Sequence, residues 1–186
     1  MTIGEAFDSI IDAARQGDRA AIAALYEDTV PLVRGYLFGQ RAYDVDDLTN
    51  DVYVSMMGSL DRFSGTEDRF RSWLLTIAHR RLVDSYRRNQ RRPEEPTDLG
   101  SGALDVVARS DPSEEALERL RTSGLLDAID GLTPDQRSVL LLRALADLPI
   151  REISEVTGKP ETAVKALLRR AVASLQRAID ADPGEG

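Results

Sequence analysis

The chain of 186 residues contains no cysteine, which excludes disulfides, thiolate metal sites and cysteine nucleophiles and is compatible with a reducing compartment. His79 is the single histidine, so a histidine metal cluster or a Ser-His-Asp triad would have to be built around one residue, and no HExxH spacing occurs. The 13 glycines are spread thinly and form neither GxGxxG nor GxxxxGK[ST], which leaves no familiar cradle for a nucleotide phosphate. No apolar run approaches the ~18 residues of a membrane span, and the first residues lack the basic-then-apolar order of an export signal. Carboxylates are plentiful, yet none is paired with other catalytic chemistry. These absences argue against an enzyme and against any cofactor or metal, and the expected location is cytoplasmic.

Charge is the first positive signal. The net charge of −8 would be unusual for a protein that touches polyanions, but the average conceals segregation. From Arg69 to Arg92 the bases Arg69, Arg71, Arg80, Arg81, Arg87, Arg88, Arg91 and Arg92 meet the single acid Asp84. The next stretch reverses sign: Glu94, Glu95, Asp98, Asp105, Asp111, Glu114, Glu115 and Glu118 oppose Arg109 and Arg119. Bases return at Lys159, Lys165, Arg169, Arg170 and Arg177. Solvated helix faces are one reading of such runs; Arg-dense helices nearly free of acids favour contact with nucleic acid at two places.

Helical periodicity dominates the chain, and no strand-like alternation of useful length appears. Phe7, Ile10, Ile11 and Ala14 form a short stripe. Asp18 opens a second helix through Ile22, Leu25, Tyr26, Val33, Tyr36 and Leu37, with Pro31 expected to kink or restart it. Asp44 to Leu60 carries Leu48, Val52, Met56 and Leu60 four apart, with acids at its start where the helix dipole favours them. Arg62 to Asp68 reads as a loop. Phe70 to about Arg91 forms a long helix with Phe70, Trp73, Leu74, Ile77, Leu82 and Tyr86 on its apolar side. Pro93 to Pro112, with Pro96, Gly100, Ser101 and Gly102, reads as a mobile domain boundary. Beyond it, Asp111-Pro112-Ser113-Glu114 resembles a helix start, and Thr133-Pro134-Asp135-Gln136 fits a capping box. The expected fold is therefore all-α, two small helical domains joined by a flexible acidic linker.

The last two helices have helix-turn-helix grammar. Ile150, Ile153 and Val156 bury the first, Gly158 supplies the permissive turn, and Val164, Leu168 and Val172 are expected to bury the second. Glu161, Thr162, Lys165, Ala166 and Arg169 then lie near the exposed start of the second helix, where a recognition helix presents side chains to the major groove. A helical hairpin in a bundle is the alternative.

The stretch from Leu132 to Leu175 (LTPDQRSVLLLRALADLPIREISEVTGKPETAVKALLRRAVASL) resembles region four of the extracytoplasmic-function sigma factors, a subfamily of the bacterial sigma-70-type RNA polymerase sigma factors. Leu25-Tyr26-Glu27 followed by Pro31, the run Asp46-Asp47-Leu48-Thr49-Asn50-Asp51-Val52-Tyr53, and Phe70-Arg71-Ser72-Trp73-Leu74-Leu75-Thr76-Ile77-Ala78 resemble region two. The order and separation are those of the family. The resemblance implies region two over 1–92, a linker over 93–112 and region four over 113–182.

It also implies partners: core RNA polymerase, through its largest-subunit coiled-coil and its flap, promoter DNA, and a cognate anti-sigma factor masking the polymerase-binding surfaces. Asp47, Asn50 and Asp51 fall where the family grips polymerase; Asn50 and Asp51 replace the Gln and Glu common there, shortening the reach. Dipole-satisfying acids are the plainer reading. Phe63 and the following helix resemble the minus-ten element reader, with Arg80, Arg81, Arg87 and Arg88 as phosphate contacts. Arg80 stands where some relatives carry a base-contacting asparagine. Thr162, Lys165, Ala166, Arg169 and Arg170 resemble the minus-thirty-five reader, while Ala163 and Leu167 depart from the Thr and Arg often found there. Trp73 is expected in the core rather than stacked on DNA, and His79 at the surface without a special role. The acidic linker resembles the segment that enters the polymerase channel; a solvated tether is the alternative.

Overall fold

The computed structural model describes residues 3–90 and 129–181; the expected linker, the helix start at Asp111 and the bases Arg91 and Arg92 lie outside them. Among the described residues there are helices and no strand: α1 Phe7–Arg15, α2 Arg19–Gly39, α3 Val45–Met57, α4 Glu67–Gln90, α5 Pro134–Ala146, α6 Ile150–Thr157 and α7 Glu161–Ala181. Short 3-10 turns occupy Gly4–Ala6 and Leu60–Arg62.

The helix starts follow from side-chain chemistry. The Asp18 carboxylate accepts from the Ala21 N–H and that of Asp44 from the Asp47 N–H, each satisfying an otherwise orphaned donor. At α5 both halves of the expected capping box form, the Thr133 hydroxyl accepting from the Gln136 N–H and the Gln136 side chain from the Thr133 N–H. The α6–α7 turn passes through Gly158 at φ 67°, a left-handed conformation that costs residues with a Cβ about 1–2 kcal/mol.

Pro31 neither ends nor restarts α2, which is continuous to Gly39. The physical reason is burial on both sides of the proline. Leu25 precedes it, Val33, Tyr36 and Leu37 follow, and all four are completely buried. Anchoring both flanks in one core outweighs the roughly 3 kcal/mol an interior proline costs. Val52 and Met56 of α3 and Leu74, Leu75 and Ala78 of α4 complete that core.

In the second half, Val139 and Leu142 of α5, Ile153 of α6 and Val164 and Ala171 of α7 are fully buried. Val172, expected inside, is 50% exposed. The buried side of α7 steps four and then three residues, placing Ala171 rather than Val172 against the other helices, as a 3.6-residue period requires.

The two halves are packed against each other, α5 on α2 and α6 on α4. At the end of α2 a Cβ on Gly39 would lie 2.8 and 3.0 Å from the methyls of Leu141, so a larger residue there requires the Leu141 side chain to shift. Beside it the Gln40 amide donates to the Ser138 hydroxyl at 3.0 Å, both residues being buried.

Candidate nucleic-acid and partner interfaces

Helix α3 sorts its residues onto opposite faces. Leu48, Thr49, Val52, Tyr53 and Met56 are buried, and the Tyr53 hydroxyl meets that of Thr29 at 2.8 Å. Opposite them Asp47 and Asn50 are exposed, Asp51 is half-buried and Val54 is 73% exposed. Spacings of three, four and seven put these four side chains in one stripe. Asp46 is taken up by Arg34 at 2.5 Å, whereas no salt bridge among the described residues reaches Asp47 or Asp51. The structure thus brings the three sequence-predicted residues together and adds Val54, with Tyr43 also 73% exposed just before the helix. The signal for Val54 was its spacing of seven from Asp47.

The loop before α4 is held from below. Phe63 is buried, its ring 6.5 Å from Phe7, 5.3 Å from Phe70 and 5.1 Å from Trp73. The Arg15 guanidinium donates to the carbonyls of Leu60 and Phe63. Phe63, expected among the strand-contacting residues, is therefore directed mainly inward, its remaining exposed edge lining the same cleft as Trp73. Outward stand Arg62, Ser64 and Arg69. Trp73 packs on Phe63 and Phe70 but is only half-buried, and it lines a cleft of about 600 Å³. It serves the core and a surface at once.

Along α4 the arginines divide by partner. Arg71 is withdrawn from solvent by Asp28 at 2.6 Å and Glu67 at 3.0 Å. Burial pushes the Glu67 carboxyl up, but hydrogen bonds from Arg71 and from the Gly4 and Ile3 N–H groups outweigh it and hold the group below its ordinary value. Asp28 is raised by burial despite Arg71. Arg80, Arg87 and Arg88 are exposed; Arg81 is half-buried and donates to the Ser55 hydroxyl at 2.9 Å. His79 is not the plain surface residue expected: it is half-buried with Nδ1 2.8 Å from the Tyr36 hydroxyl. Burial, then the positive charge of Lys159, lowers its pKa, while burial raises that of Tyr36.

On α7, Glu161, Thr162, Lys165, Arg169 and Arg170 are exposed and Ala166 is half-buried. Thr162, Lys165, Ala166 and Arg169 share one face, with Arg170 at its edge. The preceding turn is rigid: the Ser154 hydroxyl donates to the Lys159 carbonyl at 2.6 Å, and the Lys159 ammonium reaches Asp135 at 2.8 Å. A basic face on the second helix of a braced helix-turn-helix is suited to a DNA major groove.

An all-helical first half with an arginine-lined helix, followed by a braced helix-turn-helix, has the features of a DNA-binding protein. Residues 25–92 match the family model of sigma-70 region 2, and residues 123–175 that of sigma-70 region 4. The chain is 32% identical over 176 residues to the ECF RNA polymerase sigma factor BldN of Streptomyces coelicolor, covering 93% of this chain and 66% of that protein. It is 30% identical over 162 residues to the ECF RNA polymerase sigma factor RpoE of Cereibacter sphaeroides, covering 86% of this chain and 87% of that one. With the ECF RNA polymerase sigma factor SigK of Mycobacterium ulcerans it shares 27% identity over 171 residues, 89% of each chain. The fold is similar to that of CnrH, solved in complex with the cytosolic domain of CnrY, with a TM-score of 0.62, 27% identity and coverage of 96% of this chain and 99% of that one. The chain belongs to the ECF RNA polymerase sigma factors and acts in transcription initiation.

Proposed function

We propose that Asp47, Asn50 and Asp51, with Val54 beside them, hold core RNA polymerase. The supporting observation is the α3 stripe: carboxylates that meet no ion pair among the described residues, next to an exposed valine, on a helix whose other side is locked into the core. Carboxylates seek arginines on a partner, and the valine adds apolar area that water disfavours. No helix among the described residues is long and apolar enough to cross a membrane, and the chain works in the cytoplasm by binding, catalysing no covalent chemistry itself.

Arg62, Arg69 and the outer edge of Trp73 face the minus-ten element once its strand is unpaired, with Arg80, Arg81, Arg87 and Arg88 neutralising phosphates. Thr162, Lys165, Ala166, Arg169 and Arg170 sit in the major groove of the minus-thirty-five element, the alanine and threonine near base edges and the bases on phosphates. Residues 1–92 form the polymerase and minus-ten unit, 93–112 the linker, and 113–182 the minus-thirty-five unit. An anti-sigma protein holds the chain inactive by covering these surfaces; the complex formed by the similar CnrH with the cytosolic domain of CnrY supports such control.

The test is retention on immobilised core polymerase together with run-off transcription. The parent chain is retained and supports initiation, and Asp47→Arg with Asp51→Arg reduces retention at least ~10-fold, equivalent to about 1.4 kcal/mol. Equal retention of both chains, or tight sequence-specific duplex binding that needs no polymerase, overturns the assignment.

A further inference from the structure

Three exposed residues, Ser64, Gly65 and Thr66, follow the buried Phe63 and lead into α4. Among the described residues no backbone hydrogen bond reaches Ser64 or Gly65, so the stretch takes its shape from its two ends. At the far end the Thr66 carbonyl accepts the Phe70 N–H at 2.9 Å. Gly65 has φ 148°, and a Cβ there would come within 3.1 Å of the Arg69 side chain, which confines the path to what glycine allows.

The near end is set by a side chain of α1. Arg15 donates from Nε to the Leu60 carbonyl at 3.4 Å and from Nη2 to the Phe63 carbonyl, while Nη1 donates to Asp12 at 2.7 Å. All three nitrogens are occupied. Leu60 and Phe63 bracket the 3-10 turn, and the Leu60 carbonyl also accepts the Phe63 N–H at 3.1 Å. The Phe63 carbonyl belongs to the peptide that leads into Ser64. A planar fork that meets both carbonyls therefore fixes the direction in which the exposed stretch departs, which a single point charge would not do.

Arg15 is poorly placed to hold DNA itself. Asp12 offsets its charge, and the cavity of about 330 Å³ beside it is lined by Asp8 and Asp12 together with Ser64 and Gly65. A phosphate arriving there meets two carboxylates, and like charges repel. Resting on the reading of Arg62, Arg69 and Trp73 as the face that meets the minus-ten strand, we infer that Arg15 is a positioning residue for minus-ten recognition. It fixes the peptide from which Ser64, Gly65 and Thr66 are presented to the unpaired bases, and it touches no DNA. Contacts of this kind discriminate only when held to within about 0.5 Å, so base preference depends on α1 as well as on the loop.

The test is run-off transcription by the holoenzyme from a promoter that the parent chain serves, with its minus-ten element randomised and each template carrying a transcribed barcode. Arg15→Ala removes the fork. Arg15→Lys keeps the stem and the charge without the fork, and is read should the alanine variant fail to fold. Asp18→Ala loses the α2 cap but none of the loop's ties, and so reports what destabilisation alone does. Retention on core polymerase is measured for every chain.

Arg15→Ala is expected to lower the ratio of best to worst base at a minus-ten position at least ~5-fold, the smallest effect of losing one well-placed base contact. Arg15→Lys falls between alanine and the parent. Polymerase retention, and the slope of log promoter affinity against log salt, stay at parent values. A slope smaller by about 0.7–0.9 marks a lost phosphate contact and overturns positioning. So does an unaltered preference, an equal flattening by Asp18→Ala, or loss of polymerase retention by both Arg15 variants. Arg62→Ala with Arg69→Ala tests the underlying reading: parent preference and yield there overturn the strand-binding face and this inference with it. A change there with Arg15→Ala inert overturns positioning alone.

Discussion

Replacing Arg71 with methionine isolates a charge cluster that joins three segments of the first half. The guanidinium bridges Asp28 of α2 and Glu67 of α4, with side-chain exposures of 21% for Arg71, 6% for Asp28 and 15% for Glu67. Glu67 also accepts the Gly4 N–H at 2.8 Å and the Ile3 N–H at 3.2 Å, tying the start of the chain to the same point. Methionine keeps the aliphatic length and removes the charge, leaving two neighbouring carboxylates out of water. Breaking a buried pair in this way costs about 3–5 kcal/mol. Partial exposure and the option of protonating Asp28 place the expected loss near the lower end, about 3 kcal/mol. For a chain of this size that is a fall in Tm of roughly 6–12 °C.

Trp73, the single tryptophan, lies against Phe63 and Phe70 and reports unfolding by its emission in a urea titration. The acid response carries the sign of each group. Glu67, held low, contributes stability that is complete above its unfolded pKa and lost as pH falls through its folded value. Asp28, raised by burial, acts oppositely: it opposes folding while ionised, and that penalty disappears as it takes up a proton. Without Arg71 the Asp28 carboxyl moves further up, so the deficit of Arg71→Met should shrink as pH is lowered from 7 toward 5. Pairing it with Asp28→Asn should destabilise by less than the sum of the single changes. A deficit below about 1 kcal/mol, or one independent of pH, refutes the reasoning, since exposed ion pairs give no more than that.

Four further outcomes are expected. Gly158→Ala should cost about 1–2 kcal/mol of second-half stability by urea titration, for backbone reasons alone, because nothing lies within 4 Å of the added Cβ. Thr133→Ala should cost about 1 kcal/mol by losing the capping box, and Thr133→Ser should restore most of it. His79, with its pKa lowered by burial from the ordinary 6.5, is neutral in the fold. Stability should therefore decline as pH drops below about 6.5, and His79→Gln should flatten that slope in melts between pH 7 and pH 5. Lys165→Ala should weaken duplex binding and reduce the slope of log affinity against log salt by about 1, measured with fluorescent promoter DNA.

The architecture was readable because most of its signals are local. Caps at Asp18, Asp44 and Thr133 and the permissive glycine at Gly158 depend on neighbours within a few residues, and each is where its pattern places it. The extent of α2 through Leu37 was readable, but that Pro31 would not restart it was not, because continuity there is decided by a core assembled from distant helices. Neither was the orientation of Phe63: a loop aromatic next to an arginine-rich helix suits DNA or core equally, and Phe7, more than fifty positions earlier, decides it by closing the cluster. Val172 missed the interior through a one-position drift in period. The three α3 residues share their stripe as their spacing implied, whereas the partner of His79 and the docking of the halves rest on pairs such as Tyr36–His79 and Gln40–Ser138, for which no local pattern exists.

The Arg15 side chain and the Phe7 ring have a consequence for transplanting function between relatives. The segment that matches sigma-70 region 2 begins at residue 25, yet the loop at 63–66 is carried on Phe7 and tied to Arg15 through the Phe63 carbonyl. A chimaera that exchanges only the loop, or a fragment trimmed to the matched segment, would carry the loop's sequence without the scaffold that holds its shape. The loop and α1 form one structural module, and a transplant has to move both.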